Sequence, residues 1–210
     1  MKRLEAVCSL ITPCALFADI GTDHGRVAAF AAKTADRVIA SDISEKCLEK
    51  ARKNTCAGNV EFLVGDGLSV LNCGMDKPVM PDIIALCGMG GRTIADILMG
   101  YKGNAALILQ PQTDVPFVRR FLGGIGYKIT HDITAFERGK FYDVIRAARG
   151  SERLSNIQAQ FGRFYRQKDD LLKARLIRLC ESLEGYKPTK ENIKLLKTAQ
   201  RALKYQDNAK

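Results

Sequence analysis

Leu16-Phe17-Ala18-Asp19-Ile20-Gly21-Thr22-Asp23-His24-Gly25 is the stretch that decides the fold. An apolar run that stops at an acid and a glycine, then gives way to a small-residue helical pattern, reads as a first β-strand feeding a ligand-binding turn. The next apolar run, Arg37 to Ser41, ends on a second acid, Asp42, 21 residues beyond Gly21. An acid at that place suits the ribose hydroxyls of a nucleotide-like ligand. The three-glycine spacing of pyrophosphate-binding turns is absent, since only Gly21 and Gly25 fall in the turn.

The same grammar repeats outward along the chain. Val60 to Val64 is a third strand ending at Gly65-Asp66-Gly67, and Asp82 to Cys87 is a fourth, ending at Gly88-Met89-Gly90-Gly91. Ala105 to Leu109 is a fifth, ending in Gln110-Pro111-Gln112. Helices are expected over 3–12, from about 26 to 35, from the Ser44 cap to about Cys56, briefly over 68–71, over 92–99 and over 116–123. Two last strands, 128–135 and 142–148, lie close enough to form an antiparallel hairpin. Strands alternating with helices predict a mostly parallel sheet covered on both faces. With its terminal hairpin, the series matches the class I methyltransferase layout better than that of a dehydrogenase.

Gly150-Ser151 marks a change of composition. From Ser155, a capping box with Gln158 and apolar residues at spacings of three and four predict one helix of about thirty residues. After the turn Gly185-Tyr186-Lys187-Pro188, a shorter amphipathic helix carries Ile193, Leu196, Ala199 and Leu203, so the two should pack as a hairpin. Two units follow, 1–150 and 151–210. The chain has 33 Lys and Arg against 23 Asp and Glu, a formal charge of +10, of which +7 falls in the last sixty residues. Such an excess attracts polyanions and raises RNA as a partner.

Seven cysteines, an odd number with no C-x-x-C pair, point to reduced thiols in a cytosolic protein, and no metal site is expected. Cys87 is expected to be a small buried residue, and His131, inside a strand, to be structural. No run approaches the roughly 20 apolar residues needed to span a membrane.

Taken in order, Asp-Ile-Gly-Thr-Asp-His at 19–24, Gly-Asp-Gly at 65–67, Gly-Met-Gly-Gly at 88–91, Leu-Ile-Leu-Gln-Pro at 107–111 and Glu137-x-x-Lys140-x-Tyr142 resemble the bacterial tRNA (adenine-22-N1)-methyltransferase family. The likeness extends over residues 1–150, and the basic hairpin is similar to that family's C-terminal coiled-coil domain. Gln112 stands where the family often carries Asn. The resemblance implies an α/β, Rossmann-like S-adenosylmethionine-dependent methyltransferase with a C-terminal helical coiled-coil hairpin, acting in the cytoplasm on N1 of an adenine in tRNA. It implies cofactor binding by Asp19, Gly21, Asp42, Ile43, Asp66, Gly67, Gly88 and Met89. Asp23, His24 and Gln110 become candidates for the catalytic centre, and Arg26, Arg92, Arg138 and Lys140 for tRNA contact. The expected partner is tRNA, with no membrane and no metal ion, and the chain is expected to be a monomer. The residues alone leave open a methyltransferase acting on another RNA site or a small molecule, and a non-catalytic RNA-binding protein.

Overall fold

The structure, a computed structural model, describes residues 1–72, 80–185 and 188–209. Cys73, the rest of the glycine- and proline-punctuated segment up to residue 79, and Tyr186-Lys187 of the expected turn lie outside the described residues.

Seven strands form one sheet: β1 (Cys14–Ile20), β2 (Ala35–Asp42), β3 (Val60–Val64), β4 (Ile83–Met89), β5 (Ala106–Pro111), β6 (Tyr127–Glu137) and β7 (Lys140–Arg149). Their order is β3-β2-β1-β4-β5-β7-β6. The first five are parallel, and β7 runs antiparallel between β5 and β6. This is the mixed α/β sheet that the alternation of strands and helices predicts. β1 and β4 lie adjacent at the centre while the chain fills one side and then the other, so the carboxyl ends of β1 and β4 open a crevice for a ligand.

The strands read as near-continuous apolar runs because the sheet is buried on both faces. On one face, α1 (Arg3–Cys8) and α2 (Arg26–Ala31) bring Ala6, Val7, Ala28 and Ala31 against Phe17, Val38 and Ile108. On the other, α4 (Gly91–Leu98) and α5 (Val115–Gly124) bring Ile94, Leu98, Val118 and Leu122 against Ile39, Ile84 and Leu107. Between them in sequence, α3 (Glu45–Asn54) and the 3₁₀ turn Gly67–Asn72 follow β2 and β3.

Several expected boundaries move. The first helix stops at Cys8 rather than near residue 12, and Leu10 and Ile11 stay buried in a turn before Pro13. The second stops at Ala31, because Ala35 already pairs with Cys14 in the sheet. β5 runs on through Gln110, which pairs with Cys87 in regular register, and Pro111, which pairs with Met89 past a register shift between Cys87 and Met89.

The largest correction concerns the expected thirty-residue helix. It is broken into α6 (Asn156–Phe161) and α7 (Asp170–Glu184), followed by α8 (Lys190–Asn208). Gly162 takes φ +109°, and the Arg163 N–H goes to the Asp132 carboxylate at 2.7 Å instead of continuing the helix. Carbonyls of Ala159 and Gln160 accept from Arg119 at 3.2 and 3.5 Å. A new helix then starts at Asp169, whose carboxylate caps Leu171 and Leu172. α7 and α8 pair antiparallel, as Lys173 meets Asp207 at 2.8 Å and the Asp169 N–H meets Gln206 at 2.9 Å. Their seam is the apolar stripe Leu172, Leu176, Ala199 and Ala202, packed with Ile157, Phe161 and Tyr165.

Candidate active site

The turn after β1 is held open by backbone bonds. Gly21 N–H and Thr22 N–H both donate to the Ser41 carbonyl, at 2.8 and 2.9 Å, and Gly25 N–H returns to Thr22 O at 2.9 Å. Gly21 sits at φ +76°, where a Cβ would come within 2.7 Å of the Met89 side chain. The first turn and the end of β4 therefore lie against one another, and the left-handed backbone at this point favours glycine. At Gly88, φ +80°, a Cβ would meet nothing within 4 Å, so the end of β4 faces open space.

Asp19 is buried, and its Oδ2 accepts from the Thr22 hydroxyl at 2.6 Å and from the Ala28 N–H at 3.1 Å. Burial pushes its carboxyl up to about 6; the Thr22 and Ala28 bonds pull it down and the Asp42 charge adds to the rise. A carboxyl that holds its proton more tightly folded than unfolded makes stability fall as pH rises from about 4 to about 6, with no further change above. Asp19→Asn removes that slope. The stability of the variant relative to the parent, from urea denaturation at several pH values, is expected to grow by up to about 3 kcal/mol between pH 4 and pH 7. A difference constant across that range would show that Asp19 titrates as an ordinary acid.

Asp42 ends β2 with both oxygens directed at backbone: Oδ1 accepts from Ser44 N–H at 2.9 Å and Oδ2 from Asp23 N–H at 3.2 Å. It thereby ties the first turn to the second while its remaining lone pairs stay open. Ile43, next to it, is 72% exposed. Asp66 and Gly67, φ +53°, lie at the corresponding end of β3. Asp23 is in the left-handed region at φ +47°, and its Oδ2 lies 2.5 Å from Nδ1 of His24. Both side chains are exposed at the mouth of the crevice.

Asp19, Gly21, Asp42, Asp66, Gly67, Gly88, Met89 and the Asp23–His24 pair thus gather at the carboxyl ends of four adjacent strands. Residues 1–145 match the family described as "Methyltransferase domain". The chain belongs to that methyltransferase family.

Within it, the chain is 32% identical over 159 residues to the tRNA (adenine(22)-N(1))-methyltransferase of Bacillus subtilis (strain 168). That stretch is 71% of this chain and 65% of the Bacillus protein, so the chain spans just under two thirds of that relative's length. Among solved structures, Streptococcus pneumoniae Sp1610 in complex with S-adenosyl-L-methionine superposes with a TM-score of 0.84 at 25% identity, over 97% of this chain and all of that one. M. capricolum TrmK with S-adenosyl-homocysteine superposes at 0.76 and 26% identity, over 98% and 96%. The expected likeness to the tRNA (adenine-22-N1)-methyltransferase family is borne out, and so is the Rossmann-like fold with its C-terminal helical hairpin.

The methyltransferase crevice accepts S-adenosylmethionine on the structure's own terms. A glycine turn permits close backbone approach, the carboxylates at the ends of β2 and β3 suit ribose and adenine donors, and the space beyond Gly88 is open. Among the described residues no group of three His, Cys, Asp or Glu is placed to hold a metal ion, and no helix is long and apolar enough to cross a membrane.

Gln110 is placed differently from its expected role. It is buried within β5; Oε1 accepts from Gln112 at 3.1 Å and from Arg3 at 3.3 Å, and Nε2 donates to the Pro111 carbonyl at 3.1 Å. The exposed amide at this edge is Gln112, which Gln110 holds. Cys87 is packed beside the core, and burial pushes its thiol up. His131 lies exposed on the outermost strand, 3.2 Å from the Thr130 hydroxyl.

Arg26 and Arg92 are exposed at the first turns after β1 and β4, and Arg92 lies 3.8 Å over the Phe117 ring. Because β7 runs antiparallel to β5, Arg138 and Lys140 at the β6–β7 tip come to the same end of the sheet. Arg3 is a residue the sequence reading missed. From α1 it reaches Gln110, lies 3.7 Å from Glu137 and stacks 5.4 Å over Tyr142. Nothing local signals this, since Arg3 and Gln110 are 107 positions apart.

Proposed function

We propose that this protein transfers a methyl group from S-adenosylmethionine to N1 of adenine 22 in tRNA, as the Bacillus relative's name describes for that protein. The observation that carries the reading is the end-to-end match with a cofactor-bound structure: the superposition covers the basic helical hairpin as well as the sheet. A hairpin placed beside the crevice is what a large polyanionic substrate needs and a small molecule does not.

Asp42 would accept from the ribose hydroxyls and Asp66 from the adenine amino group, with Ile43 flanking the base. Gly21, Gly67, Gly88 and Met89 would shape the channel toward the reacting end. Asp19 contributes a buried negative charge beneath the turn, which favours a cationic ligand above it. When bound, the cofactor supplies an electrophilic methyl group, and N1 of neutral adenine accepts it without prior loss of a proton.

The chain's remaining tasks are to align the base and to stabilise the positive charge it gains. Asp23, exposed at the mouth and hydrogen-bonded to His24, is the carboxylate we place nearest that charge. His24 fixes its orientation, while Gln110 acts as a positioning residue that sets Gln112 and Arg3 along the edge. A stacked or paired adenine must first leave its helix, at a cost of a few kcal/mol. Arg26, Arg92, Arg138 and Lys140 would offset this by phosphate contact. In this reading residues 1–150 form the methyltransferase unit and residues 151–210 the RNA-binding appendage, working as a monomer in the cytoplasm.

The test is nucleoside mass spectrometry of unmodified bacterial tRNA after incubation with the protein and labelled S-adenosylmethionine. Label recovered as 1-methyladenosine and mapped to position 22 is the expected result. Label at another nucleotide refutes the specificity, and none refutes the activity.

A further inference from the structure

The tip of the β6–β7 hairpin carries two aromatic rings that the proposed reaction does not use. Phe136 and Phe141 face each other across the two strands, with ring centroids 4.7 Å apart and planes at 48°. Phe136 is 38% exposed, one of the few large apolar side chains at the surface among the described residues. Alternation along the strands puts this pair on the same face as Thr134 and Asp143, the face that α7 covers through the Arg175–Asp143 ion pair at 2.8 Å.

The rings are bordered by cations. Arg138 and Lys140 are exposed at the tip, and Arg178 of α7 donates to the Gly139 carbonyl at 2.9 Å. The acids nearby are engaged: Glu137 faces Arg3, and Asp143 is held by Arg119 and Arg175. Arg138 takes φ +49° and Gly139 φ +78°, so the two-residue turn has the left-handed pair of a type I′ hairpin. Asn or Asp adopts the first of these conformations at less cost than Arg, which keeps a long cation at this point.

A solvent-exposed aromatic step, fringed by cations and lying between the crevice and the basic hairpin, has the chemistry of a nucleobase platform. Bases stack on such rings while the surrounding charges hold the backbone. We infer that Phe136, supported by Phe141, stacks on an unpaired nucleobase of the RNA substrate neighbouring the one that enters the crevice. This rests on the reading above that the substrate is tRNA. Because the rings lie at the hairpin tip outside the cofactor crevice, the platform acts on RNA affinity and not on the cofactor.

The experiment compares the full-length parent with Phe136→Leu, Phe136→Ala and Phe136→Tyr. For each, tRNA KM, the S-adenosylmethionine dissociation constant, the melting temperature and the oligomeric state by light scattering are measured. Leu keeps the apolar bulk without a π-face, and Tyr keeps both. The expected result is a tRNA KM raised about 5- to 100-fold in Leu and Ala, near-parental in Tyr, with cofactor affinity and melting temperature unchanged. A Leu variant with parental KM overturns the inference while leaving the methyltransferase reading intact. A change in oligomeric state instead of KM would show that a second copy covers this face, and would also overturn it. If the parent itself transfers no methyl to tRNA, the reading beneath the inference fails and the inference falls with it.

Discussion

Asp42→Ala is expected to weaken S-adenosylmethionine binding about 10- to 100-fold, read by isothermal titration calorimetry. Two losses combine. A carboxylate accepting from ribose hydroxyls makes charge-assisted hydrogen bonds, worth about 1.5–3 kcal/mol against a neutral surface. The same side chain also ties the Asp23 N–H and the Ser44 N–H, at 3.2 and 2.9 Å, and so holds the two ligand turns in register. Asp42→Asn separates them, because the amide oxygen keeps one backbone acceptor while the charge is lost. It should fall between the parent and the alanine variant. An alanine variant that binds the cofactor within about threefold of the parent would remove Asp42 from the site. Its melting temperature guards against misreading a folding defect, since Asp42 lies at a strand end and not in either core.

Arg119→Met is expected to cost about 3–5 kcal/mol of stability, or a drop of roughly 6–20 °C in melting temperature. Arg119 is 1% exposed, and its guanidinium reaches Asp132 at 2.7 and 2.9 Å and Asp143 at 2.7 Å. Arg175 of α7 adds the second cation, so two arginines and two aspartates neutralise one another in the interior. Removing Arg119 leaves buried carboxylates short of a partner and frees the Ala159 and Gln160 carbonyls, which an apolar methionine of similar length does not satisfy. Arg119→Met with Asp132→Asn should lose less than the sum of the single losses, because the unpaired charge is then gone. A single-variant loss below about 1 kcal/mol would show that the cluster is hydrated rather than buried.

The cluster also sets an acid limit. Burial raises the Asp143 carboxyl, but Arg119 and Arg175 outweigh it and hold it below the usual range. A depressed carboxyl contributes its stability in full above about pH 4 and loses it as pH falls through the folded-state value. Since Arg119 and Arg175 join α5, α6 and α7 to β6 and β7, removing residues 151–210 would uncover this cluster as well as remove cations. A truncated chain therefore reports on stability and RNA affinity together, whereas the Phe136 variants separate them.

Much of the fold was legible because it rests on local rules. Val60–Val64 is found as read, and the β6–β7 hairpin is antiparallel as its short connection requires. Acids and glycines could be placed at strand ends because an apolar run buried on both faces must stop where the backbone meets solvent. The broken C-terminal helix was illegible for the opposite reason. Its apolar period continues through Gly162, but the contacts that stop it come from Asp132 and Arg119 on other elements. Gln110 looked like a loop amide, but the ladder between β4 and β5 continues in register to the Cys87–Gln110 pair, which places it inside the sheet.

By itself the sequence determined the succession of strands and helices, the glycine turn at Gly21 and the acids Asp19, Asp42 and Asp66 at strand ends, because periodicity and turn chemistry act between neighbours in the chain. Only the tertiary structure decided that Arg3 closes the edge beside Gln110, that Arg119 ties α6 to β6 and β7, and that Phe136 is exposed near the turn that Arg178 reaches. Those contacts join residues 13 to 107 positions apart, and they follow from how faces pack rather than from any pattern along the chain.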